Sequence, residues 1–156
     1  MTVALQKLGY RAKHYPHLFK VVELAEQFDA LTDSPVISYM ELLDRFYPTA
    51  KFILTVRDTN EWLASCQQHL AITPVEQIKK WKLLNRRAIY GITHFDEQIF
   101  RKVYQAHEDR VRAYFARWPG KLLVMNICAG EGYEMLCPFL GLPIRQEEFP
   151  CENRRN

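Results

Sequence analysis

The sequence predicts an α/β fold with a mainly parallel sheet flanked by helices. Two nearly continuous apolar runs, KFILTVR at residues 51–57 and KLLVMNI at 121–127, have the composition of strands covered on both faces, as in parallel sheets. Segments with a helical spacing of apolar residues separate these runs from each other and from shorter strand-like segments. Strands that alternate with helices in this way are typical of parallel α/β sheets.

The first half of the chain is predicted to contain three helices and two short strands. Gly9 is expected to end the first helix, because glycine readily adopts the left-handed conformation that often follows a helix C-terminus. Ser34 is a suitable N-cap for the third helix, and Pro35 suits a first helical turn, where its missing N–H needs no partner. The predicted helices span residues 1–9, 18–28 and 36–47, and the predicted strands span 10–16 and 29–32.

Longer helices are predicted in the second half. The clearest lies over residues 95–118, where apolar side chains such as Ile99, Val103 and Val111 recur at steps of three and four. Either Asp58 or Thr59 is suited to cap the helix that follows the first apolar run. The other predicted helices span residues 60–71, 74–90 and 131–140.

Composition narrows the class of protein. A chain of 156 residues with 48% hydrophobic residues fits one domain with a substantial core, and no repeat or linker divides it. A net charge of +3 is too small to indicate nucleic-acid binding. The four cysteines form no CxxC pair or zinc-type cluster, and no apolar run is long enough to span a membrane. Without a secretion signal, we expect a reduced, cytoplasmic protein with Cys66, Cys128 and Cys137 in its core.

The first apolar run ends in Arg57 at the start of a loop. Ligands of open α/β sheets bind at the carboxyl ends of strands, and the next helix presents free N–H groups and a positive dipole end. An arginine beside a helix N-terminus favours an anion such as phosphate, and Ser65 can add a hydroxyl. In the alternative interpretation, Arg57 pairs with Asp58 or another nearby acid, and Ser65 is a surface residue of the helix.

The segment TVRDTNEWLAS resembles the 3′-phosphate-binding segment of the sulfotransferase family, in which a strand ends in arginine and a serine follows eight positions later. Four other stretches resemble the same family in the same order: ALQKLGY, LTDSPV, FYPTAKFILTVRD and GEGYEMLCPFLGLPI. The resemblance implies a three-layer, P-loop type of fold over nearly the whole chain. It implies transfer of a sulfuryl group from 3′-phosphoadenosine-5′-phosphosulfate (PAPS) to an acceptor hydroxyl or amine, without a metal. It also implies that Arg57 and Ser65 hold the 3′-phosphate of PAPS.

One part of the family's pattern has no counterpart in this sequence. In the family, a strand and a glycine-rich loop precede the helix that carries ALxxLGY, and the amides of that loop bind the 5′-phosphosulfate. Here Met1 lies about where that loop would end. We therefore expect a truncated fold that keeps only the half of the donor site containing Arg57 and Ser65.

Three hypotheses of function follow from these observations. The first is a sulfotransferase, with PAPS and an acceptor that the sequence does not name as its partners. The second is a non-catalytic binding or oligomerising protein that kept the fold, in which exposed strand edges pair with another copy. The third, a relative of P-loop kinases, is disfavoured by the spacing of Arg57 and Ser65.

A sulfotransferase needs a base near its acceptor. Asp33 is the candidate catalytic residue, because it follows a predicted strand at the same edge as Arg57; its alternative role is that of an ordinary helix-entry aspartate. His14 and His17 lie at the end of another predicted strand and either line the acceptor pocket or are simple loop residues. Trp62 either stacks on adenine or, as we favour, packs in the core.

Two further segments are candidates for contacts with the substrates. Residues 73–95, which mix basic and aromatic side chains, are expected to build the acceptor pocket. Arg154 and Arg155 near the C-terminus fall where the family has further contacts to the 3′-phosphate, but we interpret them as part of a flexible terminus.

Overall fold

The computed structural model describes residues 1–71 and 75–150, which form two compact units. The first unit contains residues 1–50 and the segment from 146 onward, and the second contains residues 51–145. Each unit carries one parallel two-stranded sheet accompanied by helices. The predicted α/β class with parallel strands is therefore confirmed, while the single domain over residues 1–156 stays a prediction.

The first unit is built from short elements around a parallel strand pair. Its strands are β1 (Ala12–His14) and β2 (Ala30–Thr32), and its helices are α1 (Thr2–Lys7), α2 (Val21–Gln27), α3 (Ser34–Ile37) and α4 (Met40–Phe46). A turn of 3₁₀-helix spans Leu18–Lys20. The side chains buried in this unit include Ala4, Leu5, Ala12, Leu18, Val21, Met40 and Leu43.

Gly9 ends α1 as predicted. Its φ of +94° is in the left-handed region, and the N–H of Tyr10 returns to the carbonyl oxygen of Leu5 at 3.1 Å. This bond is the 6→1 contact of a helix C-terminal motif that glycine permits. It turns the chain from α1 directly into β1.

The predicted helix over residues 36–47 is wrong in one respect, because two helices occupy this segment. Tyr39 has φ −114° and ψ 5°, which are not helical values, and its N–H bonds to Val36 three residues back rather than four. The first of the two helices begins at Ser34, two residues before the predicted range. Asp33, not Ser34, is its N-cap and accepts a hydrogen bond from the N–H of Ser34.

The second unit has longer elements. Its strands are β3 (Phe52–Thr55) and β4 (Leu122–Met125), and its helices are α5 (Thr59–Ala71), α6 (Lys80–Tyr90), α7 (Glu97–Phe115) and α8 (Tyr133–Leu140). Turns of 3₁₀-helix span Val75–Gln77, Pro119–Lys121 and Ile127–Ala129. The predicted helix opened by Pro74 thus begins at Lys80, and Pro74 itself lies outside the described residues.

Helix α7 supplies much of the apolar core of the second unit. The carboxylate of Asp96 caps it by accepting the N–H of Ile99 at 2.9 Å. Phe100, Val111 and Phe115 are buried along one face, as the predicted apolar stripe requires. The ring of Phe115 packs on that of Phe52 in β3, with centroids 4.7 Å apart.

Burial differs from the prediction in the two strands and at two cysteines. The strands β3 and β4 were expected to be covered on both faces, yet Leu54 and Met125 are their only buried residues. Each strand has one partner among the described residues, so the sheet is too narrow to bury a whole strand. Cys128, expected in the core, is exposed in a turn of 3₁₀-helix, whereas Cys137 is buried and Cys66 is half-buried.

An ion pair joins the starts of β1 and β2. The carboxylate of Asp29 accepts hydrogen bonds from Nε, Nη2 and the backbone N–H of Arg11 at 3.0, 2.9 and 2.8 Å. These hydrogen bonds hold the pKa of Asp29 at about 2, below its usual 3.8. The pair links the residues that immediately precede the two strands.

The effect of this pair on stability is expected to depend on pH. Because the folded-state pKa of Asp29 is lowered to about 2, its contribution is complete above the unfolded-state value of 3.8 and is lost as the pH falls toward 2. Replacing Asp29 by Asn should reduce the free energy of unfolding at pH 6, with the difference from wild type shrinking below about pH 4. Urea unfolding followed by circular dichroism at both pH values measures this, and a difference that stays constant with pH would contradict it.

Candidate functional site

Tyr104 of α7 fixes the backbone at the end of β3. Val56 still pairs with β4 through a bond of 2.9 Å from its N–H to the carbonyl oxygen of Met125. The next residue, Arg57, instead donates its N–H to the hydroxyl of Tyr104 at 3.1 Å, and that hydroxyl lies 3.2 Å from the carbonyl oxygen of Arg57, to which it donates. One side chain thus satisfies both backbone groups at the point where the strand pairing ends.

The guanidinium of Arg57 is only partly paired. Its Nη2 lies 3.3 Å from a carboxylate oxygen of Glu61, and the two side chains are 29% and 64% exposed. Exposed pairs of this kind contribute only about 0–1 kcal/mol. The Nε of Arg57 is buried without a hydrogen-bond partner among the described residues, an arrangement that costs about 1–3 kcal/mol. An anionic oxygen from a ligand is the kind of acceptor that this donor lacks.

The N-terminus of α5 is already capped. The Oδ1 of Asp58 accepts the N–H groups of Asn60 and Glu61 at 2.9 and 3.0 Å, so Asp58 is the cap among the two predicted alternatives, Asp58 and Thr59. These two amides are occupied by a carboxylate and do not serve an external anion in this conformation. Any anion site here therefore depends on the guanidinium of Arg57 more than on the helix end.

Ser65 lies on α5, four residues after Glu61, so the two side chains start from the same face of the helix. Ser65 is half-buried. In the sequence, Glu61 lies between the two predicted phosphate ligands, Arg57 and Ser65, and it is the nearby acid with which Arg57 pairs in the alternative interpretation. Glu61 is not among the residues predicted from the sequence, although helix periodicity places it one turn before Ser65.

Trp62 and Cys66 show how α5 packs in the second unit. The ring of Trp62 packs on those of Tyr104 and Phe100, with centroids 4.5 and 6.1 Å away. Trp62 is thus half-buried against two aromatic rings of α7, as the favoured interpretation of core packing expects. Burial raises the pKa of the Cys66 thiol to about 11, while the charge of Arg57 acts in the opposite direction.

In the first unit, Asp33 has an unusual backbone conformation. Its φ of 84° and ψ of 176° lie in a region that is populated almost only by glycine and that costs other residues about 1–3 kcal/mol. Its side chain caps α3 through the N–H of Ser34. This is the helix-entry role of the alternative interpretation. The Oδ2 of Asp33 also lies 3.3 Å from Nε2 of His14.

His14 and His17 have different roles in the structure. The Nδ1 of His14 lies 3.3 Å from the hydroxyl oxygen of Thr2, and that oxygen lies 2.6 Å from the hydroxyl oxygen of Thr32. His17 instead caps the 3₁₀-turn by accepting the N–H of Phe19 at 3.4 Å, which supports the interpretation of His17 as a loop residue. Neither threonine was a sequence candidate, because nothing in its local pattern distinguishes it from a surface threonine.

The other candidates are placed as follows. Arg154 and Arg155 lie outside the described residues. The described part of the 73–95 segment contains α6, and its role as an acceptor pocket stays a prediction.

Within residues 1–71 and 75–150, no three His, Cys, Asp or Glu side chains are grouped so as to hold a metal ion. Among the helices in these ranges, none combines the length and apolar character needed to cross a bilayer.

Comparison with known proteins decides the family. A model of the sulfotransferase domain matches residues 13–156, which is nearly the whole chain. This chain belongs to the sulfotransferase family. A curated relative, Ava biosynthesis cluster protein M of Aspergillus versicolor, is 26% identical over 148 residues, covering 82% of this chain and 55% of the relative. The chain thus spans about half the length of that relative.

The role of Tyr104 gives a prediction about stability. Replacing Tyr104 by Phe keeps the aromatic contact with Trp62 but removes the hydroxyl that bonds both backbone groups of Arg57. We expect the free energy of unfolding to fall by about 1–2 kcal/mol, because two hydrogen bonds of modest net strength are lost. Urea unfolding monitored by tryptophan fluorescence measures this, and an unchanged midpoint would show that water replaces the hydroxyl without cost.

The strained backbone of Asp33 gives a second prediction. Replacement by Gly should raise the free energy of unfolding by about 1 kcal/mol, because relief of strain exceeds the few tenths lost from the cap. Replacement by Ala should lower it by about 1 kcal/mol, since the strain remains and the cap is lost. Asn, which retains a capping oxygen, should change it little. If the Gly and Ala variants were equally stable in urea unfolding, the backbone at residue 33 would not be strained.

Proposed function

We propose that this chain carries the 3′-phosphate-binding half of a sulfotransferase donor site and acts in the transfer of a sulfuryl group from PAPS to an acceptor hydroxyl or amine. The observation that carries the proposal is Arg57: in a chain of the sulfotransferase family, it ends a parallel strand with a buried Nε that lacks an acceptor. When bound, PAPS supplies the activated sulfuryl group. The chain's own residues bind and orient the donor and manage the acceptor proton.

The 3′-phosphate is expected to replace Glu61 as the partner of Arg57. A phosphate carries more charge than a carboxylate and accepts parallel hydrogen bonds from a guanidinium. The pair that must be broken is exposed and weak, so the exchange costs little of the gained binding energy. Ser65, on the same face of α5, supplies a hydroxyl to a phosphate oxygen in this arrangement. Asp33 is the acceptor-side residue in the proposal, and α6 contributes to the acceptor pocket.

Binding of adenosine 3′,5′-bisphosphate, measured by calorimetry, tests the donor half-site without requiring turnover. Replacing Arg57 by Ala should weaken binding by about 10- to 100-fold, because charge-assisted hydrogen bonds contribute about 1.5–3 kcal/mol each. Replacing Glu61 by Gln should strengthen binding a few-fold, since the competing charge is removed while the side-chain shape is kept. Adenosine 5′-monophosphate, which has no 3′-phosphate, serves as the matched ligand, and its affinity should not respond to either change.

The alternative is a non-catalytic protein that binds or assembles without the donor. This alternative predicts that the chain does not bind adenosine 3′,5′-bisphosphate at millimolar concentration, or binds it equally well in the Arg57→Ala variant. If the protein acts by oligomerising, its mass in light scattering should rise with protein concentration.

A further inference from the structure

Tyr104 of α7 contacts both elements that carry the predicted phosphate ligands. Its hydroxyl accepts the N–H of Arg57 at 3.1 Å and donates to the carbonyl oxygen of the same residue at 3.2 Å. Its ring packs on that of Trp62, with centroids 4.5 Å apart. Trp62 lies in α5, about one turn before Ser65. Tyr104 therefore connects the end of β3 to the helix that bears Ser65.

The backbone of Arg57 lies just beyond the paired part of the sheet. The pairing of β3 with β4 extends to Val56, whose N–H bonds to the carbonyl oxygen of Met125 at 2.9 Å. At Arg57 the hydroxyl of Tyr104 takes over the role of a neighbouring strand. Arginine has a long side chain that loses much conformational freedom when a ligand orders it. A backbone that is fixed beforehand leaves only the side chain to be ordered on binding.

The guanidinium of Arg57 lies beside α5. Its Nη2 is 3.3 Å from a carboxylate oxygen of Glu61, one turn before Ser65. Its charge also acts on Cys66, the residue after Ser65: burial raises the pKa of that thiol to about 11, and the charge of Arg57 opposes the rise. The buried Nε, which has no hydrogen-bond partner among the described residues, is thus held next to the helix that bears a hydroxyl.

We propose that Tyr104 is a positioning residue of the donor site. Its hydroxyl fixes the backbone of Arg57, so that the guanidinium with its buried Nε is in place for a phosphate before the ligand arrives. Tyr104 does not contact the ligand and acts only through Arg57. Its contribution is therefore confined to ligands that carry a 3′-phosphate, and it appears as affinity because less freedom is lost on binding. The inference rests on the proposed function.

Tyr104→Phe tests the hydroxyl alone, because the ring that packs on Trp62 is kept. Calorimetry is done at a temperature where circular dichroism shows each variant to be folded. We expect adenosine 3′,5′-bisphosphate to bind about 5- to 10-fold more weakly than to wild type. The affinity for adenosine 5′-monophosphate, which lacks the 3′-phosphate, should stay the same.

Val111→Ala is the matched control for lost stability. Val111 is buried in the same helix, about two turns beyond Tyr104, and its truncation removes apolar contacts from the core. This variant should be less stable than wild type in urea unfolding, yet it should bind both nucleotides with unchanged affinity.

A double variant distinguishes positioning from a general effect on the fold. Arg57→Ala lacks the guanidinium that the hydroxyl of Tyr104 is proposed to place. Adding Tyr104→Phe to Arg57→Ala should therefore weaken binding of the bisphosphate no further, although it still lowers the stability of the chain. A merely structural role of the hydroxyl would lower the affinity by the same factor whether or not Arg57 is present.

Four results would overturn the inference: wild-type affinity in Tyr104→Phe, an equal loss of affinity for adenosine 5′-monophosphate, the same loss in Val111→Ala, or a further loss in the double variant. The proposed function fails in a different way. If the wild-type protein does not bind the bisphosphate, or Arg57→Ala binds it equally well, the donor site is wrong and the inference fails with it. If binding depends on Arg57 but not on Tyr104, the donor site stands and only the positioning role is wrong.

Discussion

Parallel strand pairing is the constraint on which both groups of candidate residues depend. It brings the carboxyl ends of two strands to one edge, so the residues that follow them become neighbours whatever their side chains are. In the first unit this edge holds His14 and Asp33, and in the second it holds Arg57. The pairing of the strands thus determines where these residues lie, and their side chains determine which groups they can bind.

Each of these groups has a carboxylate beside it within the chain. Arg57 faces Glu61, and His14 faces Asp33, both at 3.3 Å and both partly exposed. The two pairs are nonetheless held differently. Glu61 meets Arg57 only through the flexible ends of two long side chains, so that a ligand exchanges readily with it. Asp33 is short, caps α3 and sits at a strained backbone position, which makes it a fixed partner.

Structural features that depend on a local sequence pattern could be predicted from the sequence. The order of strands and helices, the left-handed Gly9, the Asp58 cap and the seating of Trp62 all follow from periodicity, turn chemistry or apolar spacing. The break at Tyr39 was missed because the apolar spacing of residues 36–47 continues through it, and only the backbone angles reveal it.

The long-range polar contacts were harder to predict for a physical reason. Tyr104 lies 47 residues from Arg57 and belongs to an apolar stripe, so its hydroxyl gives no signal of its own. Thr2 and His14 meet only because α1 packs beside the strand pair. Asp33 was chosen for its place after a strand, whereas its positive φ and its contact with His14 depend on the tertiary structure.

The pairing of Arg57 with Glu61 has a consequence for discrimination among anions. A tethered carboxylate competes at an effective concentration on the order of millimolar, set by the short segment that links it to the arginine. Free chloride or acetate at a lower concentration than this does not displace the Glu61 carboxylate from Arg57. A ligand that makes several contacts at once has the binding energy to do so. In the proposed donor site, Glu61 therefore disfavours the binding of small monovalent anions to Arg57, while a phosphate that is part of a larger ligand with further contacts displaces it.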